Sequence, residues 1–171
     1  SESQAKNVIF LVADGMNTGT WSLADYYLQH QNSTQNKGAR RTEWVHLYAE
    51  RLVNRALMET CSANSLVTDS AAAGSAWANG QRVNNGSLNV SPEGRILTPL
   101  HDLLQKSGRA TGLVTTTRMT HATPASFATS VPKRGMEDEI ALQYLDKGVD
   151  VLLGGRSEEH TSELQSPMYL V

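Results

Sequence analysis

Residues 99–153 run PLHDLLQKSGRATGLVTTTRMTHATPASFATSVPKRGMEDEIALQYLDKGVDVLL, and the alternation inside them decides the fold. Residues 99–106 (PLHDLLQK) read as an amphipathic helix with proline in its first turn and Gly108 beyond its end. Residues 110–116 (ATGLVTT) read as a strand. Residues 136–147 read as a second helix, whose acidic first turn, Glu137-Asp138-Glu139, suits the positive end of a helix dipole. Residues 149–153 (VDVLL) return as a strand. Helices alternating with apolar strands predict an α/β fold, a mostly parallel sheet sandwiched by helices.

Working outward, residues 7–13 (NVIFLVA) form a continuous apolar run between Lys6 and Asp14-Gly15, the pattern of a strand buried on both faces of a parallel sheet. Residues 18–30 read as a helix capped by Asn17 or Thr18, and residues 31–37 (QNSTQNK) as a polar loop. Residues 43–60 have helical composition, and residues 64–68 read as a short extended stretch. Residues 70–79 (SAAAGSAWAN) predict an Ala-rich helix stopped by Gly80. Asn84-Asn85-Gly86 reads as a turn between two short strands. There is no internal repeat and no low-complexity linker.

The 171 residues suit one domain with a real core. No apolar run approaches the roughly 18 residues of a membrane span. A net charge of −2 without a basic block argues against a nucleic-acid surface. The single cysteine, Cys61, excludes a disulfide framework and a cysteine-based zinc site. His30, His46 and His101 fall in expected helices without a second ligand four positions on, and read as surface residues.

The character of the chain changes after Gly154-Gly155. In residues 156–171 (RSEEHTSELQSPMYLV), the string RSEEHTSELQS is what a widely used sequencing adapter gives when read as codons. The expectation is a natural domain over residues 1–155, the amino-terminal part of a longer protein. Residues 156–171 are then a non-native tail with no organised contact to the rest. Setting aside the tail's one Arg and three Glu leaves the remainder neutral.

Three features sit where chemistry collects in such a fold, at the carboxyl ends of strands. Asp14, in LVADGM, is a carboxylate that suits a hard or borderline cation, although an Asp-Gly turn alone explains it more simply. Ser70, in VTDSAAAG, opens a helix whose first turn is alanine, so its hydroxyl is accessible and the helix N–H groups favour an anion. A plain N-cap reading also accounts for it. The string is not the G-x-S-x-G elbow, and no nearby histidine offers a triad base, so a nucleophilic Ser70 needs a metal. Residues 115–124 (TTTRMTHATP) put a histidine and several hydroxyls at the same edge, which a solvated polar loop would also do.

In register, the three are more specific than any one. VTDSAAAG resembles the nucleophile motif of alkaline phosphatases, NVIFLVADGM their first metal-binding strand, and TTTRMTHATP their magnesium-site loop. The resemblance runs from about residue 6 to 155, with a bacterial cast from Thr123 and the compact 31–37 loop. It implies that Asp14 bridges a zinc and the magnesium, that Ser70 becomes phosphoserine and contacts metal, and that Thr123 supplies a magnesium-ligand hydroxyl. It further implies that His121 stands beside that magnesium site and that Asp69 orients the phosphate-gripping arginine. Arg134 has the expected spacing; a one-residue slip would substitute Lys133. A guanidinium fork grips two phosphoryl oxygens where an ammonium cannot.

The implied protein is a phosphomonoester hydrolase holding two Zn2+ and one Mg2+, acting on phosphate monoesters in the periplasm or as a secreted protein. Homodimerisation is left open. The family's remaining metal ligands come from its carboxyl-terminal half, which the chain through Gly155 does not include. The implied form is therefore a fragment without activity of its own. Asp14, Ser70 and Thr123 are expected to converge at one sheet edge. Within the superfamily the alternative is a phosphodiesterase or sulfatase, but the alanines after Ser70 do not fit a C/S-x-P-x-R sulfatase site. Outside enzymes, the alternative is a non-catalytic α/β binding module. Asn32-Ser33-Thr34 and Asn85-Gly86-Ser87 are formal glycosylation sequons.

Overall fold

The computed structural model describes residues 5–35, 47–54, 56–155 and 168–170, which fall into two compact units, Ser1–Met58 and Glu59–Val171. In the first unit, residues 7–13 are not a strand, and Val8, Ile9 and Leu11 are 83%, 84% and 89% exposed. This corrects the expected buried strand. Such a run becomes a strand only where neighbouring strands take up its N–H and C=O groups, and no strand pairs with it among the described residues.

The helix α1, Thr18–Gln35, starts at Asn17, whose Oδ1 accepts from Thr20 N at 2.8 Å. It runs through residues 31–35, which correct the expected loop. No glycine or proline interrupts them, and their polar groups close locally: Thr34 Oγ1 donates to His30 O at 3.0 Å and Gln31 Nε2 to Tyr27 Oη at 2.9 Å. Within residues 43–60 the expected helix is reduced to a 3-10 turn, Tyr48–Arg51, among the described positions. Helices of this length draw their stability from a buried face, and Val53 and Leu57 are fully exposed instead. Trp21 Nε1 donates to Glu50 Oε1 at 2.9 Å, tying the turn to α1. His30 is exposed as expected; His46 lies outside the described residues.

The second unit holds α2 (Ser70–Asn79), α3 (Leu100–Lys106), β1 (Gly112–Arg118), α4 (Ala122–Ser126), α5 (Glu137–Asp146), β2 (Val151–Gly155) and β3 (Met168–Leu170). The sheet order is β1-β2-β3. β1 and β2 are parallel, Gly112 opposite Val151 and Val114 opposite Leu153, with α4 and α5 in the crossover that a parallel pair needs. Ile140 and Tyr144 of α5 join Ala71, Leu88, Ala122, Ala125 and Val131 in one buried cluster, onto which Leu113 and Leu152 of the sheet pack. Val114, on the opposite face of β1, is 74% exposed.

Met168–Leu170 pair antiparallel with Leu152–Gly154, so the expectation of a tail without organised contact fails over these residues. β3 takes the edge of β2 opposite β1, and an unpaired strand edge is a template for any extended segment that reaches it.

Small residues set how closely α2 and α4 approach. A Cβ at Gly74 would run into the Ser126 side chain, with Cβ only 2.9 Å away. Around Asn84–Gly86 the turn forms, Ser87 N donating to Asn84 O at 3.1 Å with Gly86 at φ +82°. The flanking strands reduce to the isolated bridges Leu88–Val131 and Val90–Ile96, and residues 64–68 are bends. Asn89 occupies the left-handed region at φ 49° and is fully buried, donating from Nδ2 to Ser126 O and Thr129 O at 2.5 and 2.6 Å.

His101 is corrected from surface to core, at 4% exposure. Its ring nitrogens lie 2.8 Å from Thr111 Oγ1 and 3.3 Å from Lys147 O, which removes the cost of burying them. Those partners stand 10 and 46 residues away, so helical periodicity alone does not reveal them.

Candidate active site

Asp69 is the N-cap of α2, with φ −109° and ψ 175°. Its Oδ1 accepts from Ala72 N at 2.9 Å, and its Oδ2 from Gly86 N at 3.0 Å and Arg134 Nη1 at 3.3 Å. Because Asp69 does the capping, Ser70 is the first helical residue, half-buried at the positive end of the helix. The Asp69 N–H is held by Asn85 Oδ1 at 3.1 Å, while Asn85 Nδ2 donates to Val67 O at 2.9 Å. Arg134 is anchored through its own N–H to Gly86 O at 2.7 Å. Its Nη2 lies 3.1 Å from His121 Nε2. The guanidinium that meets Asp69 belongs to Arg134; Lys133 is exposed.

His121 and Thr123 come from the turn after β1 and from α4, and several groups brace that turn. Arg118 grips Glu137 with Nε and Nη2 at 2.6 to 2.9 Å, and Thr120 Oγ1 donates to the same carboxylate. The Arg118 bond is the main reason the Glu137 carboxyl is held below its usual range, opposed by partial burial. Tyr144 Oη donates to Met119 O at 2.9 Å from inside the core, and burial pushes its phenol upward. Met119 N donates to Gly155 O at 3.2 Å. Thr123 is half-buried in α4, and its carbonyl oxygen would lie 3.8 Å from a Cβ at Gly74, one turn along α2 from Ser70.

Asp69, Ser70, His121, Thr123 and Arg134 thus share the second unit. Asp14 belongs to the first, exposed in a turn closed by Met16 N donating to Ala13 O at 3.3 Å with Gly15 at φ +72°. Sequence reasoning gave Asn85 and Glu137 no site role, placing them only in a turn and at a helix start, and missed Tyr144, near the end of α5.

Among the described residues, no group of three or more His, Cys, Asp or Glu side chains could hold a metal ion. Zinc prefers tetrahedral nitrogen and sulfur donors, whereas Ser70 and Thr123 offer hydroxyls and His121 Nε2 faces a guanidinium. This donor set does not by itself make a zinc site. No helix is long and apolar enough to cross a membrane among the described residues.

The family model for alkaline phosphatase matches residues 5–163, running past Gly155 into the tail. The chain belongs to the alkaline phosphatase family. The repressible alkaline phosphatase of Saccharomyces cerevisiae is 38% identical over 155 residues, covering 88% of this chain and 26% of that protein. Alkaline phosphatase 4 of Bacillus subtilis is 32% identical over 160 residues, covering 90% and 33%. The cold-active alkaline phosphatase of a Shewanella species is 31% identical with a TM-score of 0.75 over 88% of this chain and 36% of that one. The chain therefore spans about a quarter to a third of the length of these relatives. The solved structure of a TAB5 alkaline phosphatase mutant, histidine to aspartate, has Mg bound in its M3 site; it is 27% identical, with a TM-score of 0.60 over 74% of this chain and 35% of that one.

Proposed function

We propose that this chain is the nucleophile-bearing part of a metal-dependent phosphomonoester hydrolase that works through a phosphoserine on Ser70. The observation that carries the reading is the Asp69 carboxylate, which caps the Ser70 helix with one oxygen and meets Arg134 with the other, 2.9 and 3.3 Å away. One side chain thereby sets both the hydroxyl that would attack phosphorus and the guanidinium that would hold the phosphoryl oxygens. Phosphoryl transfer depends on such positioning and charge neutralisation more than on acid–base groups.

In this reading Ser70 Oγ bonds to phosphorus as the ester P–O bond breaks, and the alcohol leaves with the serine's proton. Water then hydrolyses the phosphoserine to phosphate and free Ser70, and Arg134 grips two phosphoryl oxygens. The resemblance assigns Asp14 and Thr123 as metal ligands in the complete protein, with His121 behind Thr123. The family resemblance implies two Zn2+ and one Mg2+ in the complete protein, which would supply the charge that a weak serine nucleophile needs; a relative has Mg bound. The described residues hold no cluster of three metal-binding side chains, so this reading expects no turnover from the 171-residue chain alone. An extracytoplasmic location completes the reading, and residues 156–171 remain assigned as adapter-derived.

The test uses the complete protein. Radiolabelled phosphate from a phosphomonoester should appear on Ser70, and Ser70→Ala should lose both label and turnover while keeping its circular dichroism. Label on another residue, or turnover undiminished by Ser70→Ala, refutes the proposal.

A further inference from the structure

We infer that Asn85, with its neighbour Gly86, is the positioning element for the Ser70–Arg134 pair; this rests on the phosphoserine reading above. The turn was legible in sequence only as a connection, yet it touches both halves of the pair. The Asn85 carboxamide brackets the segment leading into Ser70: Oδ1 accepts from Asp69 N at 3.1 Å and Nδ2 donates to Val67 O at 2.9 Å. Asn85 N is itself held by Asn64 Oδ1 at 2.9 Å. One residue on, Gly86 N donates to Asp69 Oδ2 at 3.0 Å and Gly86 O accepts from Arg134 N at 2.7 Å.

These contacts fix different degrees of freedom. The two Asn85 bonds hold the peptides on either side of Thr68, so they set the direction in which the chain enters α2. The two Gly86 bonds hold the Asp69 carboxylate and the Arg134 main chain to one residue, so they set the spacing of the pair. Gly86 sits at φ +82°, a conformation that side chains rarely adopt, which keeps both its N–H and C=O aimed as they are. Both Asn85 side-chain bonds go to backbone groups of the segment entering α2. Asn85 thus acts through Asp69, and a misplacement of about 1 Å at such a site costs on the order of a hundredfold in rate.

Two measurements test the inference. In the 171-residue chain, Asn85→Ala should speed hydrogen exchange at the Asp69 amide about five- to tenfold, the worth of one net hydrogen bond, while the Ile140 amide in α5 is unchanged. Unchanged Asp69 exchange overturns the clamp without touching the phosphoserine reading. In the complete metal-loaded protein, Asn85→Ala should lower kcat at least tenfold per folded molecule. Asn85→Asp, which keeps the acceptor and loses the donor, should recover part of that loss. A loss confined to the folded fraction, with kcat per folded molecule intact for both variants, reduces Asn85 to a structural residue and overturns the inference. If wild-type protein never labels on Ser70, the phosphoserine reading fails and the positioning role falls with it.

Discussion

Arg134 and Lys133 are adjacent in sequence and differ by everything that matters for gripping a phosphoryl group. Arg134 is half-buried between Asp69 and His121, with Nη1 and Nη2 each within 3.3 Å of a partner, so its fork is fixed before any substrate arrives. In the complete protein, Arg134→Ala should lower kcat/KM for a phosphomonoester by about 10- to 100-fold, the range for losing a charge-assisted hydrogen bond. Lys133→Ala should change it less than twofold; steady-state kinetics with both variants reverses the assignment if the losses are exchanged. Glu137 gives a residue-scale prediction about stability. Its carboxyl is lowered chiefly by the Arg118 hydrogen bonds. A depressed carboxylate contributes stability that is fully present above its unfolded value of about 4.3 and is lost as pH falls through the lower folded value. Glu137→Gln should therefore cost roughly 0.5–1 kcal/mol at neutral pH, modest because the pair is partly exposed, and the gap to wild type should close as pH drops below about 4. Urea titrations across that range check the sign; a gap that widens in acid contradicts it.

At the scale of elements, legibility follows how local the determining forces are. The helix Ser70–Asn79 is read from its sequence with its true ends because Asp69 caps it from one residue away and Gly80 terminates it at φ +77°. β1 and β2 are likewise legible, displaced by two residues from the expected ranges. Residues 7–13 fail as a strand because strand formation depends on partners that their own composition cannot supply. The proposed site divides the same way. Ser70, Asp69 and the Arg134 spacing are legible as strings, whereas Asn85 acts across 16 residues and Glu137 across 19, distances at which no periodicity carries information. Packing between helices yields its own prediction. Gly74 lets α2 lie against Ser126 of α4, the helix that carries Thr123. Gly74→Val would force the helices apart and should destabilise the chain by about 1–3 kcal/mol despite the better helix propensity of valine. Equal or greater urea resistance would mean that the two helices separate without loss.

At the scale of the whole molecule, the phosphoserine reading meets an imbalance between what would position a phosphoryl group and what would charge a nucleophile. The second unit supplies a capped helix start, an anchored arginine and a braced turn, all from residues within one compact body. The described residues of the chain supply no cluster of three metal-binding side chains. A serine hydroxyl is a weak nucleophile unless a base or a metal activates it. The purified 171-residue chain should therefore show no turnover of p-nitrophenyl phosphate above the uncatalysed rate. Added Zn2+ and Mg2+ should leave that unchanged, because hydroxyl donors and one carboxylate do not hold zinc at useful affinity. Turnover that depends on added zinc and disappears in Ser70→Ala would place a working metal site within the 171 residues. Zinc-dependent turnover that survives Ser70→Ala would instead move the chemistry away from α2. The expected null result takes its meaning from a positive control, in which the complete metal-loaded protein turns the same substrate over under the same conditions.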